Sequence, residues 1–189
     1  MSTPATSIPR PFSELAASRR TIHRFRPGAV PREALDAAFA AAHFAPCHRH
    51  TWPWRFTLIG DETRGKIDAA SRAKKGAGLS GEALVIFEEK MINPTLVVAT
   101  QRRTQDPKQA KEDYAAVACA IQNMSLSLHE QGVGLKWSTG RLTQSPEAYT
   151  LLNLDPEEEE IVGFLWIGYP ARVPSVPRPP LDEVLRQLP

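Results

Sequence analysis

The chain of 189 residues is long enough to bury a sizeable core and fits a single domain. Its hydrophobic content of 42%, charged content of 23% and formal net charge of +2 are typical of a globular protein and do not indicate a nucleic acid partner. No apolar run approaches the roughly 18 residues that a membrane span requires, and residues 1–10 lack the apolar core of a signal peptide. The sequence therefore predicts a cytoplasmic protein with no membrane partner.

The N-terminal half is predicted to contain short helices separated by loops that carry proline. Residues 1–10 are rich in Pro, Ser and Thr and are predicted to be flexible, which leaves residues 11–189 as one domain. Helix starts are indicated by Pro31 and Asp61, residue types that favour the first turn and the N-cap. The predicted elements are a short helix at Phe12–Ser18, a helix at Pro31–Ala45, a strand at Arg55–Ile59, a helix at Asp61–Lys75 and a helix at Glu82–Met91.

A central helix is predicted from residue 112 to residue 131. Apolar side chains recur there every 3.6 residues, and no charged side chain interrupts them between Ala115 and Leu128. A helix that is uncharged on all faces is expected to be buried. Cys119 lies on this helix and Cys47 is the only other cysteine in the chain, so no disulfide framework is expected.

The remaining elements complete an α+β pattern. Helices outnumber strands, and no strand–helix–strand unit repeats, so we expect a small sheet covered by helices. The predicted elements are a strand at Thr95–Thr100, a polar loop at Gln101–Lys111, a strand-like run at Val133–Gly140, a helix capped by Ser145 that ends at Leu152, a strand at Ile161–Ile167 and a last helix at Leu181–Leu188.

A basic run at residues 19–26 follows the first helix. It begins with Arg19, Arg20 and Thr21. Arginine binds phosphate through two parallel hydrogen bonds, and a threonine hydroxyl supplies a further donor, so the run is a candidate phosphate site. A solvated basic face is the alternative. The chain has no G-x-G-x-x-G after a strand and no G-x-x-x-x-G-K-[ST], the usual signatures of dinucleotide and nucleoside triphosphate binding.

A second candidate site is a cluster of metal-ligand residue types. It consists of His43, Cys47, His48 and His50. A structural zinc site needs four ligands in tetrahedral geometry, and the other thiol of the chain is predicted on the buried helix. A metal-binding protein therefore stays open as an alternative function. A serine hydrolase is not favoured, because the chain has no G-x-S-x-G motif.

Short motifs occur along the chain in a characteristic order and spacing. They are Arg19-Arg20-Thr21-x-His23-x-Phe25, Val30-Pro31, Ala45-Pro46, Pro53-Trp54-Arg55-Phe56, Glu130-Gln131-Gly132-Val133-Gly134, Trp137-Ser138-Thr139-Gly140, Ile161-Val162-Gly163-Phe164, Gly168-Tyr169-Pro170 and Arg178-Pro179-Pro180-Leu181. Together they resemble the nitroreductase family of FMN-dependent oxidoreductases, and the chain is most similar to its short bacterial members. Each motif alone is degenerate, whereas the similarity as a whole extends over residues 12–186.

The resemblance implies a set of residues that bind the FMN phosphate and ribityl chain. These are Arg19, Arg20 and Thr21, with Arg178 reaching the phosphate from the C-terminal tail. It also implies a basic residue at the pyrimidine edge of the flavin, where negative charge accumulates on reduction. His23 occupies that position in the motif and Arg24 follows it, so both are candidates.

The resemblance further implies two segments around the flavin ring. Trp137, Ser138 and Thr139 would lie against the ring system. A loop of the partner subunit would cover the flavin through Cys47 and His48. His50 and Trp52 follow in that loop, at positions where the family usually has Asn and Gln.

The fold and activity implied by the resemblance are those of a flavoenzyme. The fold would be a small, mainly antiparallel sheet surrounded by helices, in an intertwined homodimer with two FMN sites at its interface. NAD(P)H would reduce FMN by hydride transfer, and the electrons would pass to a nitroaromatic, quinone or related acceptor by a ping-pong mechanism. Because flavin supplies the redox chemistry, no catalytic side chain is required. A protein that stores or senses FMN remains a second possibility.

Overall fold

The computed structural model describes residues 11–75 and 78–188, so the predicted flexible segment 1–10 lies outside it. Over these residues the chain forms six α-helices and four β-strands. The helices are α1 Phe12–Ser18, α2 Arg32–His43, α3 Asp61–Lys75, α4 Gly81–Ile92, α5 Pro107–Glu130 and α6 Pro146–Leu152, and the strands are β1 Trp54–Leu58, β2 Thr95–Arg102, β3 Gly134–Ser138 and β4 Glu159–Gly168. No helix in the described ranges is long and apolar enough to cross a membrane.

The four strands form one antiparallel sheet in the order β1-β2-β4-β3. The central pair, β2 and β4, aligns Val98 with Phe164, and its register shifts at a bulge between Ala99 and Thr100. Both central strands are buried at almost every position, as expected for strands that are covered on both faces. The predicted α+β class with a small antiparallel sheet is therefore confirmed.

The sheet separates two apolar cores. Successive residues of a strand point to opposite faces, so Val97 joins the core under α2 and α5, whereas Val98 joins the core under α3, α4 and α6. The segment that follows α1 extends the sheet beside its edge strand β3, where Thr21 pairs in parallel with Leu135. The result is a three-layer arrangement, with helices on both faces of the sheet.

Within the single chain, helix α5 is buried along one stripe and not on every face as predicted. One stripe of the helix packs in the core, with Met124 and Leu128 fully buried. The opposite stripe is exposed in the single chain, although it carries no charge. It comprises Tyr114, Ala115, Cys119 and Gln122. The absence of charged side chains identified an apolar helix. It did not determine which face of the helix packs in the core and which face is exposed in the single chain.

Two predicted boundaries are wrong for local reasons. Residues 101–111 are not one polar loop, because β2 continues to Arg102 and α5 begins at Pro107. The carboxylate of Asp106 caps α5 by accepting a hydrogen bond from the Lys108 backbone N–H at 2.9 Å. The predicted last helix at residues 181–188 is only a 3-10 turn at Leu181–Glu183, since its apolar side chains are exposed and make no core that would hold a longer helix.

Candidate functional site

Three arginine side chains come together at the end of α1. Arg19 directly follows the helix and is half-buried, as is Arg20. Burial, together with the neighbouring guanidinium groups of Arg178 and Arg20, lowers the pKa of Arg19. Within the described residues no carboxylate forms a salt bridge with any of the three, which we call the arginine cluster. Like charges that are held together without a carboxylate make a site suited to a multiply charged anion.

The side chain of Arg20 is oriented by the C-terminal end of α1. Its Nη1 donates hydrogen bonds to the carbonyl oxygens of Ala17 at 2.6 Å and Arg19 at 2.8 Å. Carbonyl groups in the last turn of a helix lack partners within the helix and attract cations. The helix end therefore fixes this guanidinium before any ligand binds, which reduces the entropy lost on binding.

The segment from Thr21 to Phe25 lies along the edge of the sheet. The backbone N–H of Ile22 donates to the Leu135 carbonyl at 3.2 Å. Gly134 is required at this contact, because a Cβ there would overlap the Ile22 side chain. With Ile22 and Phe25 buried, Thr21 and His23 are left on the exposed side of the segment.

The structure distinguishes the two candidates for the flavin edge by their partners. Desolvation and then the Lys136 ammonium lower the pKa of His23, although this side chain remains largely exposed. Arg24 instead forms a two-bond ion pair with Glu89 of α4, with distances of 2.9 and 3.0 Å. The charge of Arg24 is thus compensated within the chain, whereas His23 stands beside the Lys136 ammonium, which disfavours its protonation.

The segment of β3 that includes Trp137 and Ser138 is held by its own sheet. The Trp137 Nε1 donates to the Val162 carbonyl at 3.1 Å, and a Cβ at Gly163 would overlap the indole. Ser138 points to the opposite face, where its Oγ accepts a hydrogen bond from Trp166 Nε1 at 3.0 Å. Thr139 lies beyond the strand end and is exposed. Both strand side chains are therefore fixed, and Thr139 is accessible from outside the fold.

A cavity of about 440 Å³ lies beside this segment, between the sheet and α3 and α4. Residues from separate parts of the chain line it, and they include Ser138 and Gly140 together with Lys74, Lys90 and Lys136. We call it the lysine cavity. Sequence reasoning did not identify it, because isolated lysines on two amphipathic helices carry no motif.

The loop that contains Cys47 and His48 has an unusual backbone. Arg49, His50 and Trp52 have φ values of 56°, 55° and 46°, in the left-handed region that residues other than glycine rarely adopt. Each such residue costs on the order of 1–3 kcal/mol, so the surrounding structure has to hold the loop in place.

A buried carboxylate anchors the strained loop to α5. Asp113, which is 4% exposed, accepts hydrogen bonds from Thr51 at 2.6 Å and from Gln109 at 2.9 Å. The Cys47 thiol accepts the Trp52 N–H at 3.2 Å, and the His48 ring lies 3.8 Å from the carboxylate of Glu112. Cys47 and His48 are therefore positioned at the N-terminal end of α5.

The strained loop and the arginine cluster are far apart along α5. The loop is attached at Asp113, whereas the end of α1 is attached at His129, through a 2.9 Å hydrogen bond between Ser18 Oγ and His129 Nε2. At a rise of 1.5 Å per residue, the two attachment points are about 24 Å apart along the helix. The structure thus brings Arg19, Arg20, Thr21, His23 and Arg178 to one end of the helix and Cys47 and His48 to the other.

Two of the residues proposed as metal ligands, His43 and His50, make contacts with aromatic rings. In the described part of the chain no group of three or more His, Cys, Asp or Glu side chains has the geometry to hold a metal ion. His50 stacks on Trp52 with ring centroids 5.5 Å apart, and His43 contacts Trp52 and Trp54 at 5.9 and 6.1 Å. These contacts make His43 and His50 part of an aromatic cluster.

Comparison with known proteins identifies the family. The model of the nitroreductase family matches residues 16–169, so the chain belongs to this family. The Bacillus subtilis protein named "Putative NAD(P)H nitroreductase YfhC" is 28% identical over 169 residues, which cover 86% of each chain. The crystal structure of a nitroreductase-like family protein from Bacillus cereus has a TM-score of 0.83 and 27% identity, and covers 97% of this chain and 99% of the other. The crystal structure of a "putative nitroreductase in complex with fmn" from Desulfovibrio desulfuricans has a TM-score of 0.74 and 27% identity. It covers 95% of this chain and 98% of the other.

Proposed function

We propose that the protein is an FMN-dependent oxidoreductase that takes hydride from NAD(P)H and reduces nitroaromatic, quinone or related acceptors. The observation that carries the proposal is the arginine cluster, in which three cations come together without a salt bridge to any described carboxylate. From the cluster, the chain leads along Thr21 towards His23, Lys136 and the lysine cavity. Bound FMN would supply the redox chemistry, and the chain has to bind and polarise it. The FMN-bound relative from Desulfovibrio desulfuricans supports this choice of cofactor.

Each part of the site has a separate task in this proposal. The arginine cluster holds the phosphate through charge-assisted hydrogen bonds, and the Thr21 hydroxyl adds a donor beside it. The segment that ends in Ser138 and Thr139 lies against the ring system. Lys136 places positive charge and the neutral His23 ring places an N–H donor near the pyrimidine edge, where preorganised dipoles and charges favour the reduced flavin. We assign this role to His23 and not to Arg24, because Glu89 already pairs with the Arg24 guanidinium.

Purification followed by anaerobic reduction tests this function. The protein should be yellow from bound flavin. NADPH or NADH should reduce and so bleach this flavin at least as fast as the enzyme turns over. A yellow protein that either nucleotide bleaches far more slowly than a known nitroreductase would indicate storage or sensing of FMN. A colourless protein that does not take up added FMN would refute both functions.

We further propose that the site is completed in a homodimer. Cys47 and His48 lie about 24 Å along α5 from the attachment point of α1, and the family resemblance implies that a loop which covers the flavin comes from a second chain. The uncharged, exposed stripe of α5 is suited to pack against its copy. Apolar side chains of the tail, including Val173, Val176 and Leu181, are also exposed. We expect an obligate interface of more than about 2,000 Å² in total.

Sedimentation tests the dimer with a matched pair of substitutions. Cys119→Arg introduces a charge into the exposed stripe of α5 and should produce monomers that bind FMN poorly. Ala69→Arg adds the same charge to an exposed position of α3 and should leave the dimer intact. A parent protein that sediments as a folded monomer and retains FMN would rule out the shared site.

A further inference from the structure

The segment that carries His23 is attached to the rest of the chain on either side of this residue. Before it, the Ile22 backbone N–H donates to the Leu135 carbonyl at 3.2 Å. After it, the Arg26 backbone N–H donates to the Tyr169 carbonyl at 2.9 Å. His23 itself lies between these attachments and is not part of a strand. The direction of its ring therefore depends on what else holds the backbone there, since each residue keeps two soft dihedral angles.

Helix α4 holds the two residues that directly follow His23. Glu89 accepts two hydrogen bonds from the Arg24 guanidinium, at 2.9 and 3.0 Å. Asn93, at the C-terminal end of α4, donates to the Phe25 carbonyl at 2.7 Å. A two-bond pair between a guanidinium and a carboxylate fixes orientation as well as distance. Two separate side chains of one helix thus restrain the backbone immediately after His23.

The support that α4 provides is itself well fixed. The Phe25 side chain is 1% exposed and lies in the same apolar core as Phe87 and Met91 of α4. Arg64 of α3 donates to the Met91 carbonyl, and also to the Pro94 carbonyl at 2.8 Å. The end of α4 is therefore tied to α3, and the segment that carries His23 is seated on a rigid surface.

We propose that Glu89 and Asn93 are positioning residues, which hold the backbone at Arg24 and Phe25 so that the His23 ring faces the flavin. This inference rests on the proposed function and adds to it the residues that place the N–H donor. A donor stabilises developing charge best when it is already directed at the atom that receives the charge. Glu89 and Asn93 act through the segment and need no contact with the flavin.

NMR titration of His23 in the whole chain, freed of FMN, tests the positioning without relying on turnover. The chain has 5 histidines, and the His23 signal is the one that His23→Asn removes. Glu89→Gln and Asn93→Ala should each raise the His23 midpoint towards 6.5, because a released ring is better solvated and moves away from Lys136. An effect of charge alone has the opposite sign, since loss of the Glu89 carboxylate would lower the pKa of His23 further.

Two measurements on the FMN-loaded variants test the consequence for the flavin. At about pH 8 the His23 ring is neutral in every variant, so differences in protonation do not contribute. Both variants should retain FMN, because the arginine cluster is unchanged. Their flavin should have a lower midpoint potential, and NADPH should bleach it up to about a hundredfold more slowly, the cost of a misplacement of about 1 Å.

Glu88→Gln is the matched control. Glu88 precedes Glu89 on α4 and pairs with Arg72 of α3 through bonds of 2.7 and 3.1 Å. Its substitution removes the same charge and the same kind of ion pair from the same helix, but no contact with the segment that carries His23. The His23 midpoint and the flavin potential should stay at the values of the parent protein.

The possible outcomes distinguish the positioning role from the proposed function. An unchanged His23 midpoint in either variant would overturn the role of that residue, and so would a lower midpoint in Glu89→Gln or an equal change in Glu88→Gln. A raised midpoint with an unchanged flavin potential would overturn the link between the segment and the flavin. Absence of flavin from the purified protein would refute the proposed function, whereas the NMR midpoints would still report whether α4 holds the segment.

Discussion

The substitution Arg19→Gln tests the arginine cluster most directly. Arg19 is half-buried, its pKa is lowered by burial and by Arg178 and Arg20, and no described carboxylate compensates its charge. A hydrogen bond to a charged phosphate contributes about 1.5–3 kcal/mol, so loss of Arg19 should weaken FMN binding by about ten- to hundredfold. Removal of a cation from a repulsive cluster should leave the apo-protein as stable as the parent, or more stable.

Two measurements on each variant separate binding from folding. Flavin fluorescence quenching gives the Kd for FMN, and chemical denaturation gives the free energy of unfolding of the apo-protein. Arg24→Gln is the control, because it removes a guanidinium five residues away whose charge is paired with Glu89. It should retain FMN and lose a little stability. If Arg19→Gln binds FMN as tightly as the parent, the cluster is only a solvated basic face and the phosphate site lies elsewhere.

Three further predictions concern stability and protonation. Asp113→Ala should lower the free energy of unfolding by about 2–4 kcal/mol, since it removes the buried acceptor of two hydrogen bonds, of which the one from Thr51 anchors the strained loop. Gly163→Ala should cost about 1–3 kcal/mol because its Cβ overlaps the Trp137 indole, whereas Gly65→Ala, in open space on α3, should add about 0.5–1 kcal/mol. The His23 ring should titrate by NMR below its ordinary pKa of 6.5. As the pH decreases, the unfolded chain then binds a proton at His23 before the folded chain does. The contribution of His23 to stability is therefore complete above pH 6.5 and falls as the pH decreases below it.

Each of these predictions has a result that contradicts it. Asp113 would not anchor the loop if its alanine variant were as stable as Asp36→Ala, which removes an exposed carboxylate that pairs with Arg32 on the same helix. Equal denaturation midpoints for the two glycine variants would rule out the indole contact. A titration midpoint at or above 6.5 would show that Lys136 and desolvation do not act on His23.

Local sequence patterns determined most of the secondary structure. The helix predicted from Asp61 to Lys75 has those bounds in the structure, and Ser145 caps the helix that begins at Pro146 by accepting the Ala148 N–H. Caps and apolar periodicity act within one or two turns, so residues close in sequence encode them. The order of degenerate motifs was also sufficient to indicate the family, which the family model then confirmed.

Tertiary packing decided the features that depend on residues far apart in the chain. The sequence did not distinguish between His23 and Arg24, and only the position of Glu89 on α4 shows which of them is paired. Only the packed structure shows that one stripe of α5 is exposed while the opposite face is covered. Tertiary packing alone also assembles the lysine cavity, from α3, α4 and β3. The physical reason is that no local sequence pattern marks like charges that come together from different elements. Each lysine is an ordinary solvated side chain until its helix is packed beside another.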